Sequence, residues 1–113
     1  MYLTFSEKNL KKLVNNDRDL FRKFGPLRGK LIKQRLDALA AAENLEELRN
    51  APGNFHELTE TRKGQWACNL DHPYRLIFVP HEDPIPTDED GKYIWIEIKG
   101  VDVTEIVNYH KKN

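Results

Sequence analysis

The amino-acid sequence predicts one α+β domain in which helices come first, a meander of strands follows, and a short helix comes last. Two patterns indicate this fold class. Apolar residues recur at helical spacing up to residue 48, whereas from residue 54 they alternate with polar residues at the period of a strand. A chain of 113 residues suits a single hydrophobic core, so residues 1–113 are predicted to form one domain.

The first elements are predicted to be a short β-prone run and two short helices. The run Tyr2–Phe5 (YLTF) precedes Ser6, which is a candidate N-cap for a helix that ends near Asn15. A second helix is predicted over Asp17–Phe24, where the pair Gly25-Pro26 stops it.

The third helix has the strongest pattern in the chain and spans residues 27–43. Its apolar face consists of Leu27, Leu31, Ile32, Leu36 and Leu39. Basic residues occupy the positions between them, as expected for an amphipathic helix. After it, the pair Asn44 and Glu47 has the spacing of a capping pair and predicts a helical turn at 45–48.

Four strand candidates follow, and each is bounded by turn-forming residues. They are residues 55–59 (FHELT), 65–70 (QWACNL), 74–79 (YRLIFV) and 93–98 (YIWIEI). The third candidate is apolar on both faces except at Arg75, which is typical of a central strand. The fourth has an isoleucine at every second position, which predicts one buried face.

The remaining segments are predicted to be a loop and a helix. Residues 80–92 are rich in proline and acidic residues, which indicates a flexible surface loop. Asp102 and Glu105 are interpreted as a capping pair for a last helix over residues 103–110 (VTEIVNYH).

A net charge of zero hides a marked asymmetry along the chain. Residues 1–35 carry ten Lys and Arg against three Asp and Glu, a local charge of +7, and residues 62–80 carry +2. Residues 36–61 and 81–113 carry −5 and −4. Because screening limits the reach of a charge to about 8 Å at physiological salt, the basic segments can still bind a polyanion. The charge balance therefore neither requires nor excludes nucleic acid.

The sequence also predicts a cytoplasmic location. The chain has one cysteine, Cys68, so it forms no internal disulfide, which suits a reducing compartment. The N-terminal segment lacks the apolar run and cleavage site of a signal peptide, and no segment approaches the ~18 apolar residues of a membrane helix.

Several common site chemistries find no support in the sequence. The four histidines are isolated from one another and Cys68 has no partner motif, so no metal-binding spacing is present. The segment GPLRGK (25–30) precedes a helix but lacks the strand and the spacing of a phosphate-binding loop. The only serine, Ser6, is interpreted as a helix cap, which argues against a serine hydrolase.

The remaining polar groups suit cleavage of an RNA phosphodiester through the neighbouring 2′-hydroxyl. That reaction needs a base, an acid and cations around the phosphate. The candidates are His56 and His110 as acid and base, Tyr109 as a stacking or hydroxyl group, and Arg62, Lys63 and Arg75 as phosphate ligands. Each also has a structural interpretation, as a strand, turn or packing residue, although a charge within the most apolar strand costs free energy unless it is paired or functional.

Three stretches of the sequence carry a family resemblance: HELTETRKGQW (56–66), HPYRLIF (72–78) and VNYH (107–110). They resemble the HigB-type toxins of the RelE superfamily, also described as plasmid-maintenance killer proteins, and the similarity extends over most of the chain. The resemblance implies N-terminal helices packed on a twisted antiparallel sheet of about four to five strands with a short C-terminal helix.

The resemblance also implies a function. It indicates the toxin of a type II toxin-antitoxin system, a ribosome-dependent endoribonuclease that cleaves mRNA and inhibits translation without a metal or other cofactor. The implied partners are the ribosome with its mRNA and a cognate helix-turn-helix antitoxin of the HigA type, through which alone the toxin reaches operator DNA.

Position by position, the resemblance assigns catalytic roles to His56, Asn108, Tyr109 and His110, and RNA-binding roles to Arg62, Lys63 and Arg75. Many relatives have aspartate at the position of Asn108. An amide can hold an imidazolium by a hydrogen bond but not by charge. The alternative interpretation is therefore a catalytically weak or inactive homologue that acts as an antitoxin-bound corepressor or a ribosome-binding module.

Overall fold

The computed structural model describes residues 1–109 and has the predicted α+β fold. Its helices are α1 (Lys8–Val14), α2 (Asp17–Phe24) and α3 (Pro26–Ala41). Its strands are β1 (Tyr2–Phe5), β2 (His56–Glu57), β3 (Trp66–Asn69), β4 (Tyr74–Pro80) and β5 (Gly100–Asn108). Short 3₁₀ helices span Glu46–Asn50, Glu60–Arg62 and Trp95–Glu97. In this part of the chain, no helix is both long and apolar enough to span a bilayer.

The five strands form one sheet in the order β1-β5-β4-β3-β2. Strands β2 to β5 pair antiparallel, as the resemblance implied. The pairing at one edge differs, because β1 is parallel to β5, with Tyr2 opposite Gly100 and Phe5 opposite Val103. A parallel pair needs a long crossover, and the chain between β1 and β5 supplies it. The sheet is therefore mixed rather than wholly antiparallel.

The helices cover one face of the sheet and form the hydrophobic core with it. The larger cluster joins Leu10 of α1 and Leu39 of α3 to Cys68 and Leu76 of the sheet. Phe78 lies at its centre, with its ring centroid 6.2 Å from that of Phe55 and 6.5 Å from that of Trp66. A smaller cluster contains Leu20, Ile32 and Leu70.

The predicted C-terminal helix is wrong, because residues 100–108 form the longest strand of the sheet. A bulge between Ile77 and Phe78 in the pairing with β4 leaves Val103 opposite Phe78 and Ile106 opposite Leu76. The extra residue puts Val103 and Ile106 on the same face although they are three positions apart. The bulge therefore imitates helical spacing in a segment whose β-branched residues favour a strand.

The fourth predicted strand, residues 93–98, is also wrong. Trp95–Glu97 forms a 3₁₀ helix in its place. Trp95 and Ile98, which are three positions apart, are buried, whereas Ile96 is 58% exposed. A repeat of three is the period of a 3₁₀ helix, so the alternating isoleucines do not define a buried face.

The helix caps give one confirmed prediction and two corrections. Asn44 and Glu47 form the predicted reciprocal pair, with bonds of 3.1 and 3.2 Å from the backbone N–H of each to the side chain of the other. The N-cap of α1 is Glu7 rather than Ser6, since its carboxylate accepts from the N–H groups of Asn9 and Leu10. Ser6 instead donates to Asp102, which caps no helix.

The acidic segment 80–92 packs on the domain rather than projecting as a free loop. Ile85 contacts the larger hydrophobic cluster. Thr87 and Tyr93 form an isolated antiparallel bridge, and the N–H of Ile94 donates to the Pro86 carbonyl at 2.9 Å. The acidic residues that indicated flexibility lie mostly at the exposed tip, 88–90, of this hairpin-like turn.

An ion pair joins α3 to the turn between β3 and β4. Arg28 donates two hydrogen bonds of 2.9 Å to the Asp71 carboxylate. Its guanidinium carbon also lies 3.5 Å from the centroid of the Tyr74 ring. The hydrogen bonds from Arg28 lower the pKa of Asp71, with a smaller opposing effect of burial. This contact fixes the turn that precedes β4, the strand that carries Arg75.

We predict that Asp71→Asn lowers the free energy of unfolding by about 1 kcal/mol at pH 7, because it removes a partly buried bidentate pair. The folded-state pKa of Asp71 lies below its unfolded value of about 3.9. The stabilisation is therefore complete above that unfolded value and is lost as pH falls through the folded pKa. Denaturant unfolding between pH 7 and pH 2 measures this, with Asp37→Asn as the exposed control. An Asp71→Asn deficit that persists unchanged at pH 2 would contradict the prediction.

Candidate functional site

The sheet face opposite the helices, here called the outer face, carries most of the predicted site residues. On the helix side, Cys68, Leu76 and Ile106 lie in one row across three strands. Side chains alternate along a strand, so the neighbouring rows lie on the outer face. These rows contain Asn69, Arg75 and Val107, and His56, Ala67, Ile77 and Glu105.

Arg75 and Tyr109 form the centre of the site. The guanidinium carbon of Arg75 lies 4.3 Å from the centroid of the Tyr109 ring. The backbone N–H of Tyr109 donates to the Pro73 carbonyl at 3.2 Å, which holds this residue beside the start of β4. A hollow of about 190 Å³ opens here, and Asn69, His72, Arg75 and Tyr109 are among its lining residues. A cation stacked on an aromatic ring keeps its N–H groups directed outward, where they can bind a phosphate.

Arg62 reaches the outer face from the 3₁₀ helix that precedes β3. Its Nη1 donates to Gln65 Oε1 at 2.9 Å and to Glu105 Oε2 at 3.3 Å. Glu105 is paired with Ile77, two residues from Arg75 along β4. The Arg62 guanidinium is therefore held on the same face as Arg75, and a carboxylate neutralises part of its charge.

His56 lies on the outer face at the other edge of the sheet. Its neighbour Phe55 is buried in the core, and His56 itself pairs with Ala67. Its Nδ1 lies 2.6 Å from the Asn54 carbonyl, which can only accept, so Nδ1 donates and Nε2 of the neutral ring is a proton acceptor. Standard strand spacings put its Cα about 12 Å from that of Arg75. The two residues therefore contact different parts of any shared ligand.

Lys63 is separated from Arg62 although the two are adjacent in the sequence. Its Nζ lies 5.5 Å from the centroid of the Tyr93 ring. It borders a different hollow, of about 450 Å³, together with Arg49, Glu57 and Trp95. Of the two cations in the turn predicted from the sequence, Arg62 therefore lies on the outer face, whereas Lys63 lies beside Tyr93, next to the acidic segment.

The C-terminal triplet is only partly described. Asn108 is paired with Tyr74, which packs against the smaller hydrophobic cluster, so strand alternation puts Asn108 on the helix side. Tyr109 lies on the outer face, as stated above, and His110 falls outside the described residues. Asn108 is not among the residues that line the hollow beside Arg75, although its strand partner Tyr74 is.

Two residues of the site were missed in the sequence. Glu105 was interpreted as part of a helix cap, and its pairing with Arg62 depends on β5 being a strand. Asn69 is opposite Arg75, and its Oδ1 is buried without a hydrogen-bond partner in the described part of the chain. Glu105 could have been predicted as a site residue if residues 100–108 had been interpreted as a strand with alternating faces. Asn69 could not have been predicted, because its place in the site depends on the register of β3 with β4.

The described residues contain no group of three or more His, Cys, Asp or Glu side chains placed to hold a metal ion.

Two comparisons with known proteins bear on the identity of the chain. No curated protein matches the chain at a significant level. Residues 3–87 match the family model described as the RelE-like toxin of the type II toxin-antitoxin system HigB. The matched region includes His56, Arg62, Lys63 and Arg75, and it covers well over half of the chain. The chain therefore belongs to the HigB-like family of RelE-like toxins.

Proposed function

We propose that the chain is a ribosome-dependent endoribonuclease, which cleaves mRNA by 2′-hydroxyl attack without a metal ion and so inhibits translation. The observation that carries the proposal is the contact of Arg75 with Tyr109 on the face that also holds the Arg62 guanidinium. Two guanidinium groups on one side of a sheet suit a phosphodiester, because each can donate two hydrogen bonds to phosphate oxygens.

In this reaction the 2′-oxygen bonds to phosphorus while the bond from phosphorus to the 5′-oxygen breaks. A base accepts the 2′ proton, an acid protonates the departing 5′-oxygen, and the upstream product keeps a 2′,3′-cyclic phosphate. Arg75 and Arg62 would stabilise the extra negative charge that develops on the phosphate. Tyr109, His110 and His56 are the proposed proton-transfer and stacking groups, and the role first assigned to Asn108 becomes one of holding the strand register.

The spread of these groups is the reason to propose ribosome dependence. His56 is about two strands away from Arg75, so the two side chains can act on one phosphate only if the RNA bridges the space between them. Such widely spaced groups act together only when the RNA is held in a fixed conformation. Positioning of this kind supplies a large part of the rate enhancement of enzymes. A decoding site that presents the mRNA would supply that order, while the basic segment of residues 1–35 would contact ribosomal RNA.

The other partner follows from the family. A type II toxin has a cognate antitoxin, which we propose to be a helix-turn-helix protein of the HigA type that carries the complex to its operator DNA. We further propose that the toxin acts in the cytoplasm. The alternative, an inactive corepressor or ribosome-binding module, draws on the Arg62–Glu105 pair, which removes part of the cationic charge from the outer face.

We predict that Arg75→Ala reduces mRNA cleavage on ribosomes at least 100-fold, because it removes the phosphate ligand and the support of the Tyr109 ring. Tyr109→Phe keeps the ring stacked on Arg75 and removes only the hydroxyl, so it distinguishes the effect of stacking from that of the hydroxyl. Primer extension on cellular mRNAs after induction measures cleavage as new 5′ ends. Lys99→Ala, which removes an exposed cation outside both the basic segment and the outer face, is the control. An Arg75→Ala protein that folds and still produces the parental 5′ ends would contradict this role.

We predict opposite effects at the two ends of the Arg62–Glu105 pair. Arg62→Ala should weaken binding to mRNA-programmed ribosomes several-fold, whereas Glu105→Gln should strengthen it about two- to five-fold, since it frees the guanidinium and removes a negative charge. Glu97→Gln, at an exposed residue of the Trp95–Glu97 turn, is the control. Co-sedimentation with programmed ribosomes at low and physiological salt measures both. Weaker binding by Glu105→Gln would mean that the carboxylate orients Arg62 rather than neutralising it.

A further inference from the structure

Strand β2 and the turn after it separate the outer face from a second hollow, here called the edge hollow. His56 and Arg62 lie on the outer face. The residues that follow them, Glu57 and Lys63, line the edge hollow, which has a volume of about 450 Å³ and is closed on its other side by the segment 91–95. That volume is within the range of sites that hold small ligands. An RNA strand that passes Arg62 and crosses this turn would enter the edge hollow.

The wall of the edge hollow is aromatic. Tyr93 and Trp95 both line it, with their ring centroids 5.0 Å apart. Trp95 in turn meets the fully buried Trp66 ring edge to face at 5.4 Å, so the three rings form a continuous contact from the core to the hollow. Trp95 is buried, whereas Tyr93 is only half-buried. Tyr93 is therefore a firmly supported ring on which a nucleobase can stack.

The carboxylates of the edge hollow are largely neutralised. Arg49 pairs with Glu46 and, at 3.6 Å, with Glu57. Its guanidinium carbon lies 4.9 Å from the centroid of the Trp66 ring, which holds the arginine against the core. Among the described residues of the lining, Glu60 is the remaining carboxylate, and it is exposed.

Two lysines of the edge hollow are available to a ligand. Lys63 and Lys92 line it, are exposed, and form no ion pair within the described residues. The Nζ of Lys63 lies 5.5 Å from the centroid of the Tyr93 ring, so a cation and an aromatic face stand side by side. A nucleotide has the matching groups, because its base can stack on an aromatic ring and its phosphate can bind a lysine.

We propose that the edge hollow binds a nucleotide of the mRNA a few positions away from the cleaved linkage, with its base stacked on Tyr93 and its phosphate held by Lys63 and Lys92. This inference rests on the proposed function, because it takes mRNA as the ligand. It gives Arg62 and Lys63 different nucleotides, which accounts for two adjacent cations that lie on opposite sides of one turn. Stacking tolerates any base, so the edge hollow would position the mRNA rather than select a codon.

Photo-cross-linking on purified programmed ribosomes tests this proposal. The mRNA carries a 2′-deoxynucleotide at the cleaved position, which keeps it intact, and thiouridine at one flanking position at a time. At one of these positions, the thiouridine should cross-link to the tryptic peptide of residues 93–99 (YIWIEIK), which contains Tyr93. Absence of a cross-link to this peptide from every position would overturn the proposal. Cleavage of the all-ribose mRNA, measured in parallel, decides separately whether the proposed function stands.

Substitution of Tyr93 measures the contribution of its ring. Tyr93→Leu keeps an apolar side chain against the core and should raise the KM for cleavage on programmed ribosomes about tenfold, with a smaller effect on kcat, because stacking holds the RNA before and during the reaction alike. Tyr93→Phe keeps the ring and should restore the parental KM. A folded Tyr93→Leu chain with the parental KM would overturn the proposal, and weaker antitoxin binding by that variant would then assign the hollow to a protein.

Substitution of the two lysines tests the phosphate contact. The double variant Lys63→Gln/Lys92→Gln should raise the same KM several-fold at physiological salt and make it less dependent on salt, because fewer phosphate contacts remain. Lys99→Gln, at an exposed lysine outside the hollow, is the control. Circular dichroism confirms folding, since all three lysines are exposed. An unchanged KM and salt dependence in the double variant would contradict a phosphate in the edge hollow.

Discussion

The pairing of β4 with β5 across a single bulge is the constraint on which the rest of the structure depends. On one side of the bulge, it places Val101 and Val103 in the core between β1 and β4. On the other, it brings Glu105 opposite Ile77 and leads the chain to Tyr109 beside Arg75. Without the extra residue at the bulge, every side chain after Val103 would move to the opposite face. The core and the candidate site are therefore set by the same register.

Much of the fold could be predicted because local sequence and tertiary structure agree over most of the chain. The limits of α2 and the pairing of Asn44 with Glu47 depend on neighbours in the sequence, so their patterns were sufficient. Strands β3 and β4 were recognisable by their apolar character and flanking turns. The last strand was not, because its apolar spacing combines a period of two with the single-residue step of a bulge.

The candidate site was only partly predictable for the same reason. The charge of Arg75 within an apolar strand identified it without knowledge of the fold. The separation of Lys63 from Arg62 depends on the 3₁₀ turn at Glu60–Arg62, whose geometry no charge pattern encodes. Two further features depend on residues 100–108 being a strand: the position of Asn108 on the helix side and the pairing of Glu105 with Arg62. Neither could be predicted while residues 103–110 were interpreted as a helix.

The outer face and the basic segment of residues 1–35 have distinct proposed roles. The centre, at Arg75 and Tyr109, would bind the phosphate that is cleaved. The basic segment, which includes α1 and α2, would contact ribosomal RNA.

The most direct test of the central claim is cleavage of a synthetic mRNA on purified programmed ribosomes, with one 2′-deoxynucleotide placed at the cleaved position. Attack by the 2′-oxygen predicts that the all-ribose mRNA is cut to a product with a 2′,3′-cyclic phosphate or the 3′-phosphate derived from it, and that the deoxy-substituted mRNA stays intact. Equal cleavage of both mRNAs would contradict the mechanism, and no cleavage of either by the folded chain would contradict the enzymatic function itself.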